Sequence, residues 1–235
     1  MVCSGTFPMH RVLLFDIDGT LVDGDGAGRR AMEAAFADVL GDASPLRAFS
    51  FAGMTDPAIV RAGLRELAID PARHPELIDR VLAGYLAHLP PTIAATPAFR
   101  LHAGVAELLF ALDGAERAAI GLGTGNLERG AQHKLAPLGI WQRFAFGGYG
   151  SDSEDRAALL DVGARRGAAR LGVPREHCRV VVIGDTPLDV AAAKAIGAEC
   201  LAVATSVFTA ADLRTTGADL VVDDLTDPAA LASLR

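Results

Sequence analysis

Cysteine is scarce in this chain of 235 residues. Cys3, Cys178 and Cys200 are odd in number, far apart, and make neither a C-x-x-C pair nor a zinc-ligand spacing. A disulfide framework is therefore excluded as an organising device, and a reducing, cytoplasmic setting is expected. Basic residues are also in short supply: 22 Lys and Arg stand against 29 Asp and Glu, a net charge of −7. That balance argues against nucleic acid or an acidic membrane surface as the main partner. No apolar run reaches the roughly 18 to 20 residues of a membrane span. The opening "MVCSGTFPMHR" lacks a basic stretch followed by an apolar one, so no export signal is expected, and Met9 offers a second possible start. The six histidines show no H-x-x-x-H spacing and read as structural or surface residues. Repeats, low-complexity segments and a disordered tail are absent too.

What the chain does have is apolar residues, 51% of the total, with a mean hydropathy of +0.29. That suffices for one large core, or for a core plus a smaller inserted unit. Short β-branched runs recur: RVLLF at 11–15, AAIGLG at 118–123, FAFGG at 144–148, CRVVVIG at 178–184, CLAVA at 200–204 and DLVVD at 219–223. Each is bounded by polar or glycine residues, as buried parallel strands are. Between them lie helical segments such as 127–138, 156–171 and 188–196, each followed by a glycine that can stop it. The alternation predicts an α/β fold with a doubly wound parallel sheet. The rhythm breaks once, between the first run and the second. There the pattern reads as amphipathic helices over 28–40, 56–68 and 75–89, then a proline-rich return, PPTIAATPAF, and a further helix over 103–112. The expected division is therefore a core of 1–24 and 92–235 with a helical domain over 25–91, lying above the carboxyl ends of the strands.

The run VLLFDIDGTLVDGDG at 12–26 ends abruptly in Asp16 and Asp18. Two carboxylates that close at a strand end repel one another. A second acidic pair, Asp185 and Asp189, follows another strand in VVVIGDTPLDV, and a third strand ends at Thr124 in AAIGLGTGN. Adjacent parallel strands bring such ends together, and a hard divalent cation with oxygen ligands, Mg²⁺, would offset the repulsion. The chemistry that fits is phosphoryl transfer. Asp16 would attack phosphorus to give an aspartyl-phosphate. Asp18 would protonate the leaving alcohol and then activate water. Thr124, with the backbone N–H groups of Gly125 and Asn126, would bind the phosphate oxygens. A protein cation should complete the charge balance.

The three segments DIDGTLVD, IGLGTGN and VIGDTPLDV, in this order, resemble motifs I, II and IV of the haloacid dehalogenase-like hydrolase superfamily. The helical insertion after the first motif is similar to that superfamily's C1-type cap, and the overall pattern most resembles its phosphoglycolate phosphatase-like branch. The resemblance implies a Rossmann-like core and makes Asp16 the nucleophile and a Mg²⁺ ligand. It makes Asp18 the general acid/base with its backbone carbonyl on the metal, Thr124 the phosphate binder, Asp185 a metal ligand, and Asp189 its support, directly or through water. One feature departs from the pattern. The superfamily usually carries a lysine at the start of the helix before motif IV, whereas GYGSDSEDRAALLDVGARR has none. Arg156, at that helix start, and Lys134, on the helix after motif II, are the two candidates. Arginine can serve through its fixed fork of donors.

Blander readings compete with these. An EF-hand over DIDGTLVDGDGA fails because its twelfth position is Ala27 and an apolar strand precedes it. GLGTGN is not a G-x-G-x-x-G fingerprint. Thr124 could serve only as a helix cap, and Asp56 in FAGMTD could cap the next helix or face the site together with Thr55. GDGAG at 24–28 reads as a hinge whose backbone lies near the site. At least two of Arg29, Arg30, Arg61 and Arg65 should be solvated, and Trp141 should pack in the core. The expected activity is thus a Mg²⁺-dependent phosphomonoesterase acting on a small phosphorylated metabolite, phosphoglycolate-like or a sugar phosphate. The alternatives are a mutase of the β-phosphoglucomutase type and a non-catalytic phosphometabolite-binding protein. The second is disfavoured because a binder needs neither nucleophile nor acid.

Overall fold

A computed structural model of the chain describes residues 10–235, so Cys3 and Met9 lie outside the described residues. Five of the six apolar runs form strands where the pattern places them; in FAFGG only Gly147 and Gly148 are strand, which runs on to Tyr149. Strand β1 spans His10–Phe15 and is followed by a two-residue strand, β2, Val22–Asp23. Helices α1 (Ala27–Leu40), α2 (Asp56–Glu66) and α3 (Pro75–Ala94) come next, and then a short strand β3, Arg100–Leu101. The remainder alternates: α4 (Val105–Leu112), β4 (Ala118–Thr124), α5 (Glu128–Leu135), β5 (Gly147–Tyr149), α6 (Arg156–Leu171) and β6 (Cys178–Gly184). It closes with α7 (Pro187–Ala195), β7 (Glu199–Val203), α8 (Ala210–Thr215), β8 (Leu220–Val222) and α9 (Pro228–Leu234).

The main sheet has the order β5-β4-β1-β6-β7-β8, and every pairing in it is parallel. The two-residue period of β1 explains its two-sided packing. Leu13 and Phe15 face a core shared with α4, α5 and α9, while Val12 and Leu14 face the one shared with α6, α7 and α8. The chain builds outward from β1 through β4 to β5, then returns to β6 on the other side of β1. The sheet therefore switches direction at β1, and the crevice outside the carboxyl ends of β4, β1 and β6 is where such sheets bind ligands.

Helices α1 to α3 bury a separate core around Met32, Phe36, Leu64, Tyr85 and Leu89. Two features of this helical insertion differ from the expectation. The pair β2–β3, antiparallel through Val22↔Leu101 and Asp23↔Arg100, ties its two ends together. Two residues per strand are too few to show alternation. The expected proline-rich return is instead helix, since α3 continues through Pro90 and Pro91 to Ala94. The prolines remove two helical N–H donors, but Leu89 and Ile93, one turn apart, are both buried in the insertion's core and hold the last turn in register. Trp141 sits at the rim of the main core and is only partly buried. No helix among the described residues is long and apolar enough to cross a membrane.

Candidate active site

Three strand ends converge as expected. Asp16 follows β1, Thr124 ends β4 and Asp185 follows β6; all three are buried. Asp16 is fixed from its backbone, whose N–H donates to Ile183 O at 2.8 Å. Gly19, in the turn after Asp18, has φ +83°, and a Cβ there would lie 2.4 Å from Asp185 Oδ2. Only glycine lets this turn pass so close to the second acidic strand end. Thr20 lies in the DIDGT motif but carried no assigned role in the sequence. It is fully buried and donates from Oγ1 to Asp185 Oδ1 at 2.9 Å.

Asp16, Asp185 and Asp189 present carboxylate oxygens that all lie within 4.8 Å of one another. Burial is the main force raising Asp16, to about 6; Arg156 opposes it, and the neighbouring Asp189 and Asp18 add to it. Burial, then Asp189 and Asp16, also raise Asp185 well above the usual carboxylate range. Three buried, mutually repelling oxygen ligands are a donor set suited to a hard divalent cation such as Mg²⁺. Asp189 is the most committed of the three. Its Oδ2 accepts from Thr186 N at 3.0 Å and Thr186 Oγ1 at 2.7 Å, closing a capping box at the start of α7. Its Oδ1 accepts from Arg156 Nε at 2.9 Å. Asp16 and Asp185 are thus the freer ligands, with Asp189 in support. The resemblance puts Asp18 on the metal through its backbone carbonyl; its carboxylate lies outside this group and turns to a different cation.

Both candidate cations reach the site, at different carboxylates. Arg156, the first residue of α6, donates from Nη2 to Asp16 Oδ2 at 2.8 Å as well as to Asp189, and from Nη1 to Gly53 O of the helical insertion at 3.3 Å. Lys134, buried on α5, donates to Asp18 Oδ1 at 2.8 Å and Oδ2 at 2.6 Å, and to Asn126 Oδ1 at 2.6 Å. Asn126 Nδ2 in turn donates to Asp18 Oδ2 at 2.8 Å and to Thr124 Oγ1 at 2.9 Å. Thr124 therefore does not cap α5; its hydroxyl orients Asn126. Burial works to raise Asp18, but the charge and hydrogen bonds of Lys134, helped by Asn126, outweigh it and hold the carboxyl below its ordinary value. About half of the Asp18 side chain (49%) stays open to the cavity.

The insertion closes over this floor. Thr55 caps α2 by accepting from Ala58 N, so the capping role falls to it and not to Asp56. Asp56 instead docks on the β4–α5 loop: its N–H donates to Gly125 O at 2.8 Å, and its Oδ2 accepts from Leu127 N at 2.8 Å. A Cβ on Gly125 would lie 2.3 Å from Met54 O, so the two loops meet as closely as backbone allows. Burial raises Asp56 to about 6, against the pull of Lys134 and the Leu127 N–H. The cavity between core and insertion measures about 370 Å³, with the carboxylates as its floor and residues of 24–32, 50–59 and Tyr85 as its roof. Gly24, Gly26 and Gly28 of the hinge segment line it, as expected. Of the four arginines singled out in the sequence, Arg29 is the one that lines the cavity; Arg30 bonds Asp25 O and Thr96 Oγ1, Arg61 pairs with Glu154, and Arg65 is exposed. Tyr85, from the middle of α3, carried no sequence signal beyond helical burial.

A doubly wound sheet with carboxylates at two adjoining strand ends and a threonine at a third, roofed by a helical insertion, defines a class of α/β enzyme site built around paired carboxylates. The family model for haloacid dehalogenase-like hydrolases matches residues 10–197, and the chain belongs to that family. No curated protein matches it by sequence. Among solved structures it is similar to CbbY from Rhodobacter sphaeroides in complex with phosphate, at 20% identity and a TM-score of 0.73, covering 96% of this chain and 99% of that one. It is also similar to a hydrolase from Pseudomonas syringae, at 21% identity and TM-score 0.70, covering 93% and 95%. A predicted phosphoglycolate phosphatase from Haemophilus somnus 129pt aligns at 16% identity and TM-score 0.67, covering 97% and 100%. At these identities the likeness establishes the fold.

Proposed function

We propose that this hydrolase is a Mg²⁺-dependent phosphomonoesterase acting on a small phosphorylated metabolite through an aspartyl-phosphate. The observation that carries the reading is the split of four carboxylates into two differently charged environments. Asp16 lies with Asp185, Asp189 and Arg156, whereas Asp18 lies with Lys134 and Asn126. Pairs of carboxyls held in unlike surroundings are what nucleophile and acid/base roles require.

Asp16 and Asp185, supported by Asp189, would hold the ion, with the main-chain carbonyl of Asp18 as a further ligand. The ion supplies charge neutralisation for the phosphoryl oxygens and lets two anions, nucleophile and substrate, approach. Asp16 attacks phosphorus, the P–O bond to the alcohol breaks, and a phosphoryl-Asp16 forms. Asp18 passes a proton to the departing oxygen. Because Lys134 keeps Asp18 ionised in the free site, that proton arrives with the ester monoanion, whose second pKa is near 6 as for other phosphate monoesters. Asp18 then takes a proton from the water that attacks phosphorus, and Asp16 is regenerated. Arg156 keeps Asp16 aligned, and Thr124 with the backbone N–H of Gly125 would bind the phosphoryl oxygens, the Asn126 N–H donating to Thr124 Oγ1 at 3.3 Å. The helical insertion acts as a cap that excludes bulk water.

The test is phosphate release from p-nitrophenyl phosphate and a panel of metabolite phosphates, with Mg²⁺ and then with EDTA. Release should need the metal and should vanish in Asp16→Asn, which keeps an acceptor for Arg156 and should still unfold in one cooperative thermal transition. Activity retained in a folded Asp16→Asn would remove the nucleophile assignment.

A further inference from the structure

The roof of the cavity differs from its floor in charge. Met32, Phe51, Met54 and Ile59 give it an apolar surface, and Ser50 and the Tyr85 hydroxyl add neutral polar groups. Two ionisable groups belong to this half, Arg29 and Asp56. The Arg29 guanidinium, on α1, reaches the segment 46–51 and has Glu33 Oε1 3.9 Å from its Nη1. Nη1 donates to Leu46 O at 2.7 Å, Nη2 to Phe49 O at 3.2 Å, and its plane lies 3.7 Å over the Phe51 ring. It staples the segment 46–51 in place. Asp56 brings a buried carboxylate held by the Leu127 N–H. The two remaining cations of the lining, Lys134 and Arg156, are each bonded to carboxylates of the floor. Among the described residues, then, each cation in the cavity lining already holds its terminal nitrogens to protein oxygens. The mouth is apolar as well. Val207, 77% exposed, lines the cavity, and Leu188, 49% exposed, packs by Gly53 of the roof.

Resting on the phosphomonoesterase reading, we infer that the cap half selects the monophosphate of an uncharged alcohol with an apolar face, and rejects esters whose leaving group carries a second anion. One phosphoryl group is matched by the floor and the metal it would hold. A further carboxylate or phosphate would enter an apolar roof whose cation is already held by protein oxygens, with Asp56 as a like-charged neighbour. Such a poorly paired anion is disfavoured in binding and in the transition state alike. A hydroxyl in the same place finds Ser50 and Tyr85, and the carbon skeleton finds Met32, Phe51 and Ile59.

The decisive comparison is between two esters of nearly equal size, 2-hydroxyethyl phosphate and 2-phosphoglycolate, which differ in a hydroxymethyl against a carboxylate. A hexose 6-phosphate against a hexose 1,6-bisphosphate repeats it at larger size, and p-nitrophenyl phosphate reports whether the site works at all. With Mg²⁺ the neutral member of each pair should show kcat/KM at least about tenfold higher, the scale of one like-charge clash in a binding site. Ser50→Lys, at an exposed position of the roof, should narrow that ratio by raising turnover of the anionic member. Equal or faster turnover of 2-phosphoglycolate, or a ratio unmoved by Ser50→Lys, overturns the inference while leaving the phosphatase reading intact. Silence towards every ester, p-nitrophenyl phosphate included, overturns that reading and the inference with it.

Discussion

Arg156 is the residue on which most of the site turns, because one buried guanidinium satisfies both Asp16 and Asp189 and touches the cap at Gly53 O. Removing it strips two buried carboxylates of their counter-charge. Arg156→Ala should therefore lose about 10²-fold or more in kcat/KM, on the scale of one transition-state donor. It should also lose about 3 kcal/mol or more of stability, as a broken buried ion pair does. Arg156→Lys keeps the charge without the fork and should recover stability more than rate. Denaturant midpoints beside steady-state kinetics check this; an alanine variant as stable as the wild type would mean the carboxylates are compensated elsewhere. The sequence displayed Asp16, Asp18 and Asp185 plainly, because each sits where an apolar strand stops. It could not say whether Arg156 or Lys134 served the site, since that depends on how α5 and α6 pack against the sheet. The answer, one cation for each group of carboxylates, is a tertiary fact.

Among elements, the β4–α5 loop and the start of α2 form the joint between core and cap. Gly125 O accepts from Asp56 N, Leu127 N donates to Asp56 Oδ2, and a side chain at Gly125 would strike Met54 O. Gly125→Ala should push the roof off its seat. We expect KM to rise and kcat to fall, together by about tenfold or more, since a misplacement of about 1 Å can cost 10²-fold. The melting transition should move by no more than overpacking warrants, about 1–3 kcal/mol. Wild-type kinetics in this variant would show that cap and loop need not meet for turnover. The helices of the cap were legible from their apolar spacing. The run of α3 through Pro90 and Pro91 was not, because proline is a local stop signal and the burial of Leu89 and Ile93 that overrides it is set by the fold. The β2–β3 tie at the base of the cap left no trace in the sequence for a different reason, its brevity.

For the molecule as a whole, the alternation of strand and helix made the doubly wound sheet readable in advance, but the stability balance struck by closing the cap was hidden until Asp56 was seen buried between α5 and the roof. That burial carries a cost that depends on pH. Asp56 is raised from the ordinary carboxylate value to about 6 in the folded chain. The folded state therefore holds a proton that the unfolded state has already released between roughly pH 4 and 6, and by linkage this group's contribution falls as pH rises through that window. Below it the carboxyl is neutral in both states and costs nothing. Above it the full penalty applies, on the order of 2–3 kcal/mol for a carboxyl displaced that far from its ordinary value. Asp16 and Asp185 move in the same direction, so the wild-type profile alone would not isolate Asp56. Asp56→Asn does, because the amide oxygen can still accept from Leu127 N–H while carrying no charge. The stability of Asp56→Asn relative to wild type should be near its minimum at pH 4, rise through pH 6 and level off by pH 8. Denaturant midpoints at several pH values, in EDTA so that metal binding does not contribute, measure that difference. A difference that stays flat from pH 4 to 8 would mean that the closed cap holds Asp56 with enough hydrogen bonding and positive charge to offset its burial, leaving cap closure independent of pH at this residue.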